Sequence, residues 1–238
     1  MTRSTARDRL LAIVDGPGPR TVGAAYLVAA AAATVTGAVS SKSVAAVTKP
    51  VPLIVLGAEI VRARERLAPV DLALVASAVA FSTVGDRLML IEEFTEEGPE
   101  RDRALKRGAG VFAGAQLSYS AALWRRGARP RFRRLLPRMA LLGESATVMA
   151  IHRPALLPVL GAYGNTLATM SALAADTGEV GLRRGGWAFL ASDLSILNRR
   201  HLLRDRQSRT VAEGWVLATY FAAQWLLVRG LLRPTSPR

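Results

Sequence analysis

Among the ionisable side chains that fall within long, mostly apolar stretches, Lys49, Asp86, Glu144 and Asp193 are the ones to explain. A charge inside a membrane span costs roughly 2.5 to 3.5 kcal/mol on insertion scales, so each of these asks for a partner or a task. Two carboxylates facing one low-dielectric cavity can divide acid and base work: one keeps its proton, and a nearby cation helps the other stay ionised. Asp86 and Asp193 are the candidate pair, and Lys49 is the candidate cation. Ser82 lies one turn before Asp86 on the same helical face, and Ser192 directly precedes Asp193. Phe112, Gln116 and Tyr119 recur at i, i+4 and i+7, and Tyr220 precedes Gln224 by one turn, so each set lies along one face of a helix. Glu144, near Arg138, reads as half of an interfacial ion pair.

Long apolar helices must position these groups. From Thr21 to Ser41 the only ionisable side chain is Tyr26, and a run of that length crosses a hydrocarbon core of roughly 30 Å. Charged residues are bunched in the short stretches between such runs. Windows of about 19 residues give eight spans: Thr21 to Ser41, Val44 to Val61, Val70 to Ile91, Gly108 to Trp124, Leu135 to Ile151, Pro154 to Ala174, Leu182 to Asn198 and Val211 to Leu231. The second contains Lys49, Pro50, Pro52 and Glu59, and the fifth Arg138 and Glu144, so six or seven spans also fit the pattern. The expected fold is all-α, a polytopic bundle of about eight transmembrane helices over residues 21–231, with residues 1–20 and 232–238 as cytoplasmic ends. With alternating helix directions and about 1.5 Å per residue, Lys49, Asp86 and Asp193 come out roughly 8 Å inside the outer boundary, with Gln116, Tyr163, Tyr220 and Gln224 somewhat deeper. Loop cations favour an inner (plasma) membrane protein with both termini in the cytoplasm. The arginine loop from Arg125 to Arg138 then lies inside, and the acid-bearing loop from Glu92 to Arg107 outside.

Composition removes other classes. There is no cysteine, which excludes disulfides and thiolate metal sites. His152 and His201 each sit beside arginine near a helix end and read as interfacial side chains, so neither a metal nor another cofactor is expected. A net charge of +14 invites a nucleic-acid reading, but basic residues crowding the loops of a membrane protein and facing anionic lipid account for it better. The expected partners are the bilayer and a lipid substrate. Arg3, Arg7, Arg9 and Arg20 in the first twenty residues, without a distinct apolar region and cleavage site, argue against a cleavable signal.

Thr48-Lys49-Pro50, Phe81-Ser82-Thr83-Val84-Gly85-Asp86, the Phe112 to Tyr119 helix, Tyr163 to Met170, Ser192-Asp193 and Tyr220 to Gln224 together resemble the YhhN family of lysoplasmalogenases. That resemblance implies an eight-span protein that cleaves the vinyl ether bond of a lysoplasmalogen to a fatty aldehyde and a glycerophospho-alcohol. It makes Asp86 and Asp193 the catalytic candidates, with Lys49, Ser82, Gln116, Tyr119, Tyr163, Asn165, Ser192, Tyr220 and Gln224 binding substrate or supporting them. Lys49 is expected within salt-bridge reach of an aspartate, or else on the lipid phosphate. Gln116 departs from the histidine expected of the family at this place, and glutamine exchanges no proton near neutral pH. A proton- or ion-coupled transporter and a non-catalytic lipid-binding protein are the rival classes.

Overall fold

The computed structural model describes residues 19–202 and 205–234, and among them the regular elements are all helical. They are α1 (Pro19–Val39), α2 (Lys42–Thr48), α3 (Val51–Arg62), α4 (Pro69–Glu93), α5 (Pro99–Arg125), α6 (Phe132–His152), α7 (Leu157–Asp176), α8 (Val180–Leu202) and α9 (Arg206–Leu231), with a 3-10 turn at Pro154–Leu156. Most of the N-terminal segment and the last four residues lie outside the described residues. Among the described residues nine helices cover the eight sequence spans, because α2 and α3 are the halves of the second. Pro50 and Pro52 have no N–H to offer the carbonyls of Ala46 and Thr48, so the helix breaks at Lys49-Pro50. Each half keeps its own ladder: Lys49 N donates to Ala45 O and Ile54 N to Pro50 O, both at 3.0 Å.

The charged connections are shorter than the sequence suggests. Proline at the first position starts α5 at Pro99, and Glu100 and Asp102 in its first turn complement the helix dipole, so the expected loop from Glu92 to Arg107 shrinks to residues 94–98. The basic stretch from Arg199 to Arg209 is likewise mostly helical, with α8 running to Leu202 and α9 starting at Arg206. Asp205 caps α9 by accepting from Ser208 N at 2.7 Å, and this bond holds its carboxyl below the usual carboxylate range.

Four segments are long and apolar enough to cross a membrane: Thr21–Val39, Lys42–Arg62, Pro69–Glu93 and Gln207–Leu231. Helices α5, α6 and α8 each carry several arginines. Polarity is arranged inside out relative to a water-soluble domain. Leu27, Val28, Val35, Val47 and Ile54 are exposed, whereas Ser82, Gln116 and Gln224 are fully buried, the arrangement that suits a hydrocarbon solvent.

Packing follows a closed circuit. Helix α1 packs on α3, α3 on α4, α4 on α5, α5 on α7, α7 on α8, α8 on α9 and α9 back on α1, while α6 leans on α7 and α8 from outside. At one end of this ring the arginines between α5 and α6 cap helix C-termini. Arg126 donates to the carbonyls of Gly230 (2.9 Å), Leu231 and Arg233 at the end of α9 and pairs with Glu179 at 3.4 Å. Arg131 and Arg134 both reach Asp176, the last residue of α7, at 2.8 and 3.1 Å, and the Arg129 N–H donates to the same carboxylate. Cations belong at this pole of a helix.

Candidate active site

Along one face of α4 the spacing 4, 3, 4 aligns Ser82, Asp86, Met89 and Glu93. Asp86 from this stripe and Asp193 from α8 line one cavity of about 150 Å³ near the other end of the ring. Its walls are apolar, with Leu105 and Phe112 from α5, Leu142 from α6, Leu167 from α7 and Leu217 from α9. Each aspartate accepts a hydrogen bond from a tyrosine on a neighbouring helix. Tyr220 of α9 donates to Asp86 Oδ2 at 2.9 Å, and Tyr163 of α7 donates to Asp193 Oδ2. The Tyr220 ring is wedged edge-on between Phe112 and Phe189, with centroids 6.1 and 5.8 Å away, so its hydroxyl is aimed by packing.

Gly85 makes this approach possible. A Cβ there would lie 2.7 Å from Phe112 Cδ2, inside contact distance. Gly85→Ala is therefore expected to push Phe112 against Tyr220 and destabilise the fold by about 1–3 kcal/mol. Thermal unfolding of the purified variant measures this, and unchanged stability would show that the ring moves aside freely.

The remaining sequence candidates divide by position. Lys49, Tyr163, Ser192 and Tyr220 share the cavity with the aspartates, and the Ser192 hydroxyl donates to Val216 O at 3.0 Å to join α8 to α9. Ser82, Gln224 and Tyr119 form a buried chain beside it: Gln224 Nε2 donates to Ser82 Oγ at 2.8 Å, and Tyr119 OH donates to Gln224 Oε1 at 2.6 Å. This chain ties α4, α9 and α5 together and does not line the cavity. Gln116 is buried with its Oε1 facing the Thr166 hydroxyl. Asn165 is not part of the site. Two residues on from Tyr163, it points to another face of α7, is exposed, and returns its amide to Gly161 O at 2.8 Å.

Two electrostatic expectations are corrected. Lys49 Nζ pairs with Glu93 at 3.6 Å and Glu213 at 3.5 Å rather than with either aspartate. The α2–α3 break carries Lys49 past α1 at Gly37, where a Cβ would sit 3.0 Å from Lys49 Cε, and delivers the ammonium to these two carboxylates. Both glutamates line the cavity and were missed in the sequence. Glu93 fell in the expected loop and Glu213 passed unremarked in the last span, yet Glu93 stands at i+7 from Asp86 and Glu213 at i−7 from Tyr220, so the stripes already contained them. Glu144 and Arg138 do not pair. Six positions apart, they occupy different faces of α6: Glu144 is exposed, while Arg138 turns inward, donates to Ser171 Oγ at 2.8 Å and lies 4.2 Å from the Trp187 ring centroid. Nothing is described of the His152 and His201 side chains, and among the described residues no group of three or more His, Asp or Glu is placed to hold a metal ion.

Apolar helices closed around a half-buried carboxylate pair define a helical membrane protein with an internal polar site. The chain belongs to the YhhN family, whose family model matches residues 44–231, from within α2 to the last residue of α9. No curated protein and no solved structure matches the chain.

Proposed function

We propose that this protein is an intramembrane lipid hydrolase that cleaves the vinyl ether bond of a lysoplasmalogen, or of a related ether or ester lysolipid. The reading rests on one observation: two carboxylates on different helices, each held by a tyrosine hydroxyl, face a single apolar-walled cavity. One aspartate, in its acid form, gives its proton to the vinyl carbon remote from oxygen, and the alkene electrons leave an oxocarbenium ion. The other carboxylate balances that cation. Water then adds to the cationic carbon as this carboxylate takes a proton, and the resulting hemiacetal collapses to aldehyde and alcohol, the alcohol oxygen recovering a proton. The sum is vinyl ether plus water giving aldehyde plus alcohol. The apolar walls suit the alkenyl chain. Lys49, already shared by two glutamates, takes a structural part rather than holding a phosphate.

Purified protein incubated with lysolipids bearing alkenyl, alkyl or acyl chains tests this by mass spectrometry. Aldehyde from the alkenyl lipid is the expected product, and no product from any chain type would overturn the proposal. A proton-coupled transporter is the second reading, favoured by the helix broken at Lys49-Pro50. It predicts uptake into proteoliposomes driven by a pH gradient, with the lipid recovered intact.

Orientation follows the basic loop: both termini and the arginine turn face the cytoplasm. The 27 residues of α5 span about 40 Å, so its two ends emerge on opposite sides. Single cysteines introduced at Glu97 and Arg129 should react with an impermeant maleimide from opposite sides of sealed vesicles. Labelling of both from one side would refute the map.

A further inference from the structure

We infer that Gln116 is a positioning residue that supports Asp193 in both its protonated and its ionised form by rotating its amide. The inference rests on the proposed acid-base reading of the aspartate pair. Three observations carry it. Gln116 is fully buried, and its Nε2 is without a hydrogen-bond acceptor while its Oε1 faces the Thr166 hydroxyl. Thr166 has one hydroxyl hydrogen, yet it stands within bonding reach of two acceptors, Gln116 Oε1 and, at 2.8 Å, Tyr163 O. The Gln116 amide also lies against the Tyr163 hydroxyl, which in turn contacts Asp193 Oδ2.

These groups admit two complete hydrogen-bond patterns. With Asp193 ionised, Thr166 donates to Gln116 Oε1, the amide N–H turns to the Tyr163 oxygen, and the Tyr163 hydrogen goes to the carboxylate. With Asp193 protonated, the carboxyl donates to the Tyr163 oxygen and Tyr163 donates to the amide oxygen. The amide N–H then turns to Thr166 Oγ1, whose hydrogen goes to Tyr163 O. Rotating the amide half a turn exchanges its acceptor and its donor with almost no displacement of heavy atoms. No proton passes along the chain. Two hydroxyl hydrogens and one amide reorient, and the only proton gained or lost is the one on Asp193. A glutamine, which exchanges no proton itself, can thus serve a carboxylate that does.

Other titratable groups face α8 as well. Asp86 and Glu93 on α4, Lys49 at the α2–α3 break, and Tyr220 and Glu213 on α9 share the cavity with Asp193, and Arg138 of α6 meets α8 at Trp187. All stay constant in the variants below.

The test reads Asp193 directly by infrared difference spectroscopy. The carboxylic C=O band is followed across pH in lipid nanodiscs and assigned by its disappearance in Asp193→Asn. Gln116→Met keeps the volume; the ionised form still holds the Tyr163 hydrogen on its carboxylate, whereas the protonated form leaves that hydrogen without an acceptor, so the band's titration should move by about one pH unit toward the ionised form. Gln116→His, which can donate at one nitrogen and accept at the other, should restore most of the original titration. Gln116→Leu, which likewise offers Tyr163 no acceptor, supplies the same direction of change if Gln116→Met does not fold. A titration unmoved in folded Gln116→Met, or moved equally by Met and His, would reduce Gln116 to a packing residue and overturn the inference. Loss of aldehyde production in every assay, with the titration shift still present, would instead strike at the proposed reaction.

Discussion

Asp86→Asn and Asp193→Asn should each yield folded, lipid-binding protein that turns over at least about a hundredfold more slowly than the parent. Asparagine preserves the shape of either side chain and still accepts a hydrogen bond at its oxygen, so Tyr220 and Tyr163 keep their partners. What it removes is the ability to release an acid proton or to balance a cation. The two losses should not multiply. On the proposed reaction both groups serve one reaction coordinate, so the double variant is expected to be little worse than either single one. Aldehyde release by the three variants, followed by mass spectrometry, decides the matter. Near-parental rates from either single variant would remove that residue from the chemistry, and fully multiplicative losses would separate the two into independent roles.

The second large effect is on stability. In Lys49→Met, Glu93 and Glu213 lose the ammonium they share. Removing one partner of a buried ion pair costs on the order of 3 kcal/mol. The Lys49 and Glu213 side chains are only 11% and 9% exposed, so water does little to relieve this. The variant should unfold at lower temperature, and adding Glu213→Gln should recover part of the loss by discharging one acid. Lys49→Met as stable as the parent would show that the triad contributes nothing to the fold. If instead the ammonium were the counterion of the aspartates, Glu213→Gln would bring no recovery.

The helical fold was legible because a membrane span needs a long apolar run, and four of the expected spans keep that length and apolarity among the described residues. The aspartates were legible for the complementary reason, since a charge in such a run is conspicuous. Harder to read was whatever depended on exact rotation or on a helix extending past its apolar stretch. Glu93 is the last residue of α4, beyond the sequence span that ends at Ile91, and its place in the cavity follows only once the helix is known to continue. Lys49 found the wrong acids because depth was estimated along straight helices, whereas Pro50 breaks the second span and redirects the chain. Asn165 illustrates the limit of proximity in sequence: it lies two residues from Tyr163 and on another face. Gln116 was located correctly as an interior residue, but its link to Asp193 runs through Thr166 and Tyr163 on α7, and no spacing within α5 encodes that.

The arginine turn between α5 and α6 also implies a timetable. Its Arg126 binds carbonyls more than a hundred residues further along the chain, and Arg131 and Arg134 bind the end of α7. During synthesis these guanidiniums leave the ribosome well before their acceptors exist, so on the proposed orientation each would present its full charge to the insertion machinery at the moment orientation is chosen. Only when α7 and then α9 have entered the bilayer do Asp176 and the last carbonyls of α9 engage them. On that orientation the same arginines would act first as an address and later as a fastening, and a chain halted before α9 would be oriented but not yet closed.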